Sequence, residues 1–340
     1  MGHKFTNDYS FLSRKEILDS LYEALDEENT AYGLDKHSMN AKKLIKKTFS
    51  LKEKDEVFFL VGGTQANMTV ISFLLKPFEG VIAASSAHIN VHETQAIEGS
   101  GHKIILVDSK LGKINAKSVE KAVLVNNNEH CSKPKLVYIS NPTEYGTIYK
   151  KDELKDLRDV CDKYGLYLYI DGARLSTALT SKKNDVDISY FSEIADAFYI
   201  GGTKNGLLFG EAVVLKEGLS DYFRYQIKHK GAMLAKGFVL GIQFERLFKD
   251  DLFFEIGRHE NKMAELIYEK LDKSLFTMPL ETNQLFIKVE SKYKDELINR
   301  FELELWEELG DHAVLRIVTS FMTDENDVKE LVECLSSIIK

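Results

Sequence analysis

Val57-Phe58-Phe59-Leu60-Val61-Gly62-Gly63-Thr64-Gln65-Ala66-Asn67 is the stretch on which the fold turns. Its apolar run lies between charged residues and a glycine pair, the pattern of a strand buried on both faces. From Thr64 onward, Ala66, Met68, Val70, Ile71, Leu74 and Leu75 carry a helix as far as Pro77. Such a unit aims a helix N-terminus past the end of the strand. Free backbone N–H groups and the helix dipole favour a phosphate at that place.

The same alternation continues through the chain. Short apolar runs at residues 81–84, 104–107, 136–139, 166–170, 198–200 and 212–215 are separated by helical patterns, notably over 151–164. The expectation is an α/β fold with a mostly parallel sheet wrapped by helices, and ligands beyond the carboxyl ends of its strands. Before the first strand, Ser13-Arg14-Lys15-Glu16 reads as a helix start, with Ser13 at the cap and Glu16 completing a capping box. A long amphipathic region over 219–270 bridges to a small C-terminal α+β unit, with strands at 284–289 and 314–319 and helices near 293–305 and 324–339. The expected division is a large domain over residues 1–245 and a small one over 246–340.

Composition narrows the partners. The 340 residues are 44% hydrophobic, enough for a sizeable core, and carry 45 basic against 53 acidic residues for a net charge of -8. With no long basic run, neither nucleic acid nor an anionic membrane is the expected partner. Cys131, Cys161 and Cys334 are widely spaced and form no C-x-x-C pair, so free thiols in a reducing compartment are expected, and no metal site. No apolar stretch approaches a membrane span and no signal-peptide core is present, which gives a cytoplasmic expectation. Gly2 with Thr6 fits a loose myristoylation pattern, discounted because nothing basic reinforces it.

Four groups fall just after expected strands: Gly62-Gly63-Thr64, Ser86-Ala87-His88, Asp171-Gly172-Ala173-Arg174 and Thr203-Lys204. Their chemistry matches the demands of pyridoxal phosphate. Lys204, on the turn Gly201-Gly202-Thr203-Lys204-Asn205-Gly206, is an amine able to condense with an aldehyde cofactor if its surroundings hold its pKa down. Asp171 is a carboxylate able to keep a pyridine nitrogen protonated, or simply a helix cap. His88 is an aromatic face for the ring, or a structural histidine. Gly63, Thr64 and Thr203 offer donors to a phosphate. The glycine spacing of a nicotinamide site, G-x-G-x-x-G, is missing from the first strand–helix turn.

Taken together, these motifs resemble the threonine aldolase and β-eliminating lyase family of pyridoxal-phosphate enzymes. The resemblance runs through Asn7-Asp8, Tyr32-Gly33, Gly63-Thr64-Gln65-Ala66-Asn67, Ala87-His88, Thr143-Glu144-Tyr145-Gly146-Thr147, Asp171-Gly172-Ala173-Arg174-Leu175, Gly202-Thr203-Lys204-Asn205-Gly206 and Leu315-Arg316-Ile317-Val318-Thr319-Ser320. It implies an aspartate-aminotransferase-like fold (fold type I) with a small C-terminal domain, and homodimers or homotetramers with sites near the interface. It also implies Lys204 as the lysine that carries the cofactor, Asp171 at the pyridine nitrogen, His88 on the ring, and Gly63, Thr64 and Gln65 on the phosphate. Asn7, Arg174 and Arg316 correspond to positions near the amino-acid carboxylate or the cofactor. The reaction implied is retro-aldol cleavage of L-threonine, L-allo-threonine and related β-hydroxy-α-amino acids to glycine and an aldehyde. The alternative is β-elimination to an oxoacid and ammonia. Asn7 stands where many members carry serine, and the base at the substrate hydroxyl is open among His88, Glu144 and a water. Lys228, Lys230 and Lys236 are candidates for a contact to the phosphate of a neighbouring subunit.

Overall fold

Each apolar run of the large unit forms a strand in the computed structural model, which describes residues 5–338. The pattern at Gly2 and the expected helix end at Ile339 lie outside the described residues. In chain order the strands are β1 (Glu56–Leu60), β2 (Glu79–Ala84), β3 (Ile104–Val107), β4 (Lys133–Ser140), β5 (Tyr167–Gly172), β6 (Ala197–Gly201) and β7 (Glu211–Leu215). They build one sheet in the order β1-β7-β6-β5-β4-β2-β3. Strand β7 runs antiparallel to both neighbours, and the other pairings are parallel. The carboxyl ends of β1, β2, β5 and β6 therefore share one edge.

Burial explains the uninterrupted apolar runs: β2, β6 and β7 are buried along their whole length. The flanking helices show the complementary pattern. In the helix Lys151–Tyr164, Leu154, Leu157, Val160 and Cys161 recur on one face and are buried, and charged residues fill the rest up to the terminal Tyr164.

A smaller antiparallel sheet follows, ordered β8-β10-β9, from β8 (Gln284–Glu290), β9 (Glu304–Leu309) and β10 (His312–Val318). Strand β9 corrects the sequence expectation, which ran a helix to residue 305. That helix covers Ser291–Phe301 and stops where Glu302 takes a positive φ of 51°. Glu304-Leu305-Trp306-Glu307-Glu308-Leu309 is charged and mostly exposed, so on an edge strand it lacks the buried alternation that would mark it in sequence.

The long helix Leu252–Lys270 joins the two units. Leu252, Phe253 and Ile256 belong to the large core, while Met263, Ala264 and Ile267 belong to the small one. The N-terminal segment crosses the same junction. Phe5 is fully buried in the small core, its N–H bonded to the Phe301 carbonyl and its carbonyl to the Val318 N–H. Further along this segment, the capping box expected at Ser13 does not form. The helix begins at Lys15, and the Ser13 hydroxyl instead donates to the Gly206 carbonyl at 2.7 Å, joined there by the Arg14 N–H at 2.8 Å. Glu16 pairs with Arg14. The tertiary contact outcompetes the local cap.

Strands β5 and β6 approach too closely at their ends for a side chain. A Cβ on Gly201 would lie 2.1 Å from the Ala173 carbonyl oxygen, a backbone atom that cannot swing aside. Gly201→Ala is expected to destabilise the fold by about 3 kcal/mol, measurable as a lowered urea midpoint.

Candidate active site

The turn after β6 is held from several sides. Buried Asn205 donates to the Gly201 carbonyl at 2.5 Å and accepts a short hydrogen bond from the Ser176 hydroxyl. Gly206 closes the turn at φ +78°, and a Cβ there would meet Arg14 Cγ at 2.4 Å. Lys204 is thus carried on a rigid turn. Its Nζ lies 5.7 Å from the centre of the Tyr9 ring.

Lys204 lines a cleft of about 600 Å³ at the carboxyl edge of the sheet. Gly62, Gly63 and Thr64 after β1, His88 after β2, Asp171, Ala173 and Arg174 at the end of β5, Thr203, and Arg316 from β10 line the same cleft. The four groups that the sequence placed after separate strands are therefore brought together.

Asp171 is buried at 4% exposure. Its Oδ2 accepts from the Tyr138 hydroxyl at 2.6 Å and from Asn67 Nδ2 at 3.3 Å, and its Oδ1 accepts the Ala173 N–H at 3.0 Å. Hydrogen bonds of this kind hold the carboxylate in place. Asn67 is itself fixed, its Oδ1 accepting from the Tyr169 hydroxyl at 3.0 Å.

His88 donates or accepts at Nδ1 with Glu93 Oε1, 2.8 Å away, and its backbone N–H donates to Glu144 Oε1 at 3.0 Å. Burial pushes the Glu144 carboxyl up and the Asp171 charge adds to that, opposed by a hydrogen bond from Ser140 and by the His88 N–H.

Arg174 meets Asp8 through both arms of its fork, Nε to Oδ2 at 2.5 Å and Nη2 to Oδ1 at 3.1 Å. Asp8 is wholly buried and also accepts from Asn283 Nδ2 at 3.1 Å. Burial would raise its carboxyl, but the charges of Arg174 and Lys204 and these hydrogen bonds hold it below the ordinary range. Arg316 pairs closely with Glu304 of β9, donates to Gln284 Oε1 at 3.3 Å and lies over the Trp306 ring. Its Nε is buried without a partner among the described residues.

Lys204 keeps partial exposure where it lines the cleft, yet burial pushes its amine down to about 8, with the charge of Arg174 adding to the effect. Asp8, Asp171 and Glu211 pull the other way. Glu211, at the start of β7, is buried in the cleft wall and accepts the Gly202 N–H at 3.0 Å. Burial pushes its carboxyl up.

Two expected site residues are placed differently from the rest. The Gln65 side chain turns back to accept the Val61 N–H at 3.2 Å, which leaves its backbone N–H for the helix N-terminus. The Asn7 side-chain Oδ1 accepts from the Tyr9 N–H and the Ser10 hydroxyl, and neighbouring Thr6 and Tyr9 line the cleft. Sequence reading missed the roles of Asp8, Asn67, Glu93, Tyr138, Glu211 and Glu304. Asp8 and Asn67 sit inside quoted motifs. Tyr138, Glu211 and Glu304 carry no local signal, because their partners lie on other strands or turns, and Glu93, though near His88 in the chain, sits in none of the motifs quoted above.

The donor set fits pyridoxal phosphate. The helix Gly63–Leu74 begins at Gly62 with no side-chain cap, and a Cβ on Gly62 would meet open space. A buried carboxylate and a lowered lysine face the same cleft.

A mostly parallel seven-stranded sheet with such a cleft and a small appended sheet defines the class: an α/β protein of the aspartate-aminotransferase fold. An aspartate aminotransferase from Thermotoga maritima shares that fold, at TM-score 0.76 and 16% identity, covering 100% of this chain and 92% of the other. The beta-eliminating lyase family matches residues 14–292, and the chain belongs to that family. It is 31% identical over 310 residues to a low specificity L-threonine aldolase of Pseudomonas aeruginosa, covering 88% of each chain. It is also similar to the solved threonine aldolase of Leishmania major, at 41% identity and TM-score 0.96 over 99% of this chain and 100% of the other.

Asp8→Ala strands a buried guanidinium and is expected to cost about 3–5 kcal/mol of stability, read by denaturant unfolding. The wild-type contribution of Asp8 is complete above the ordinary aspartate value of 3.8 and is lost as pH falls through the lower value of the folded chain. The stability difference between wild type and variant should shrink over that acidic range.

Proposed function

We propose that this chain is a pyridoxal-phosphate-dependent aldehyde-lyase that cleaves L-threonine, L-allo-threonine and related β-hydroxy-α-amino acids to glycine and an aldehyde. The observation that carries the reading is the convergence of Lys204, Asp171, His88, Arg174 and Arg316 on one cleft. The relatives named as threonine aldolases support the retro-aldol direction over elimination.

In this reading Lys204 would hold the cofactor aldehyde, Asp171 the ring nitrogen and His88 the ring face. Thr203 and the N–H groups of Gly63, Thr64 and Gln65 would hold the phosphate. When bound, the cofactor supplies an electron sink for the charge left at the substrate α-carbon. The chain's own residues set the geometry. Arg316 and Arg174, with Asn7 near by, would bind the substrate carboxylate, and a guanidinium fork suits that group. Fixing the carboxylate orients the α-carbon so that the bond to be broken stands across the ring. Glu304 holds Arg316 before substrate arrives and would exchange it for the carboxylate. The base at the hydroxyl is His88, Glu144 or a water.

The same proposal takes residues 1–245 as the cofactor unit and 246–340 as a smaller unit that contributes Arg316, supported by its separate apolar core. A reducing cytoplasm and a homodimer or homotetramer complete it, with Lys228, Lys230 or Lys236 reaching a neighbour's phosphate. Among the described residues no helix is long and apolar enough to cross a membrane.

Lys204→Ala should keep its fold and lose turnover. Borohydride reduction of the wild type should attach the cofactor to the peptide that holds Lys204. Glycine and acetaldehyde from threonine support the proposal; an oxoacid and ammonia would establish elimination instead. With the amine at about 8, cofactor uptake by the cofactor-free protein, followed by absorbance, should rise with pH and level off above about 8. An ordinary lysine at 10.5 would keep the rate rising well beyond that point.

A further inference from the structure

Strand β7 begins at the cleft with a buried carboxyl group, that of Glu211. In the register of the sheet Glu211 stands opposite Leu60 of β1 on one side and Gly201 of β6 on the other. Those two strands lead into the loops Gly62-Gly63-Thr64 and Gly202-Thr203, whose donors suit a phosphate. Because β7 runs antiparallel to both, its first residue reaches that edge. Glu211 is 4% exposed and lines the cleft together with Gly62, Gly63, Thr64 and Thr203.

This placement sets a conflict of charge. Glu211 Oε2 accepts the Gly202 N–H at 3.0 Å, and the Thr203 side chain bonds the same carboxyl group. An ionised carboxylate only accepts hydrogen bonds, so in that form Glu211 competes with a phosphate for the donors of the loop. It also sets a second anion against a phosphoester that is itself close to doubly charged at neutral pH. Two anions that share one buried site repel, and proton uptake by one of them relieves the repulsion. The titratable groups that face Glu211 from the elements around it are Lys204 on its turn, Asp171 at the end of β5, and the hydroxyls of Tyr169 and Tyr199. Lys204 is the one cation among them. Burial pushes the Glu211 carboxyl up to about 8, against the hydrogen bonds from Thr203 and Gly202 and the charge of Lys204.

We infer that Glu211 forms a wall of the phosphate site and admits the phosphate of the cofactor only as the uncharged acid. The inference rests on the cofactor reading above. The proton comes from solvent, and the one bond formed is O–H on the carboxylate. The neutral acid then carries a donor that the ionised form lacks, and the Gly202 and Thr203 donors no longer face a competing charge.

The test measures binding of pyridoxine phosphate to the cofactor-free protein. This probe has an alcohol in place of the cofactor aldehyde, so it cannot condense with Lys204. Glu211→Gln keeps the shape and is neutral at every pH, which makes it a stand-in for the protonated acid. Lys204 titrates in both proteins, so the ratio of their affinities isolates Glu211. At pH 7 wild type and variant should bind within about threefold of each other. At pH 9 only about a tenth of wild type holds Glu211 uncharged, and the variant should bind about tenfold more tightly. A ratio within twofold at both values of pH would overturn the inference, and so would variant binding tenfold weaker at both, which would mark a site that needs the carboxylate. A readout free of variants and of turnover is the infrared difference spectrum of wild type on binding the probe at the higher pH. Appearance of the C=O stretch of a protonated carboxylic acid, with loss of carboxylate absorption, supports the inference, since proton uptake by Lys204 gives no such band. Absence of that band overturns it. Failure of wild type to bind the probe at either pH would overturn the cofactor reading, and this inference with it. Binding without the acid band would overturn this inference alone.

Discussion

Charge burial at the carboxyl edge of the sheet is the constraint on which this structure depends. Three cations, Lys204, Arg174 and Arg316, line one cleft, and none is left to water alone. Arg174 is held by Asp8, Arg316 by Glu304, and Lys204 sits in the field of Asp171, Asp8 and Glu211. Buried ion pairs of this kind add little net stability but are costly to break, because removal of one member leaves an uncompensated charge. They are better understood as fixing positions. A lysine kept partly neutral, a carboxylate kept in place by three donors and two oriented guanidinium groups are what an aldehyde cofactor and an amino acid require.

Those positions are set by segments that cross between the two units. Residues 5–14 insert Phe5 in the small core, set Asp8 against Arg174 and tie Ser13 and Arg14 to the turn that carries Lys204. The helix Leu252–Lys270 contributes to both cores and packs on the helix that follows Arg174, where a Cβ on Gly257 would meet the Ser176 carbonyl oxygen at 2.5 Å. Arg316 comes from the small sheet while its cleft partners come from the large one. The site is therefore a product of the docking of the two units, and a shift between them would move Arg316 relative to Lys204.

The Glu93–Asn67–Asp171 line adds a link within the large unit. It joins Asp171 to His88 through one asparagine amide and the Glu93 carboxylate. Asn67 lies in the first turns of the helix whose N-terminal residues Gly63 and Thr64 line the cleft. The helix thus places its uncapped N-terminus at the cleft and the charge network just beyond it.

Much of this was legible from the chain alone. Residues buried on both faces of a sheet must be apolar throughout, so the seven strands of the large unit announced themselves as runs, and the glycine pair after the first marked an edge of the cleft. The order of motifs gave Lys204, Asp171, His88 and both arginines. Strand β9 stayed hidden because an exposed edge needs no alternation, and Ser13 looked like a cap because its better partner, the Gly206 carbonyl, lies far along the chain. Asp8 with Arg174, Glu304 with Arg316 and Tyr138 with Asp171 became pairs only once the chain had folded. Sequence fixes what must be kept from water and where the backbone can turn, since these are local properties. Which charge neutralises which depends on distances of a few ångströms between remote residues, and only tertiary packing decides those.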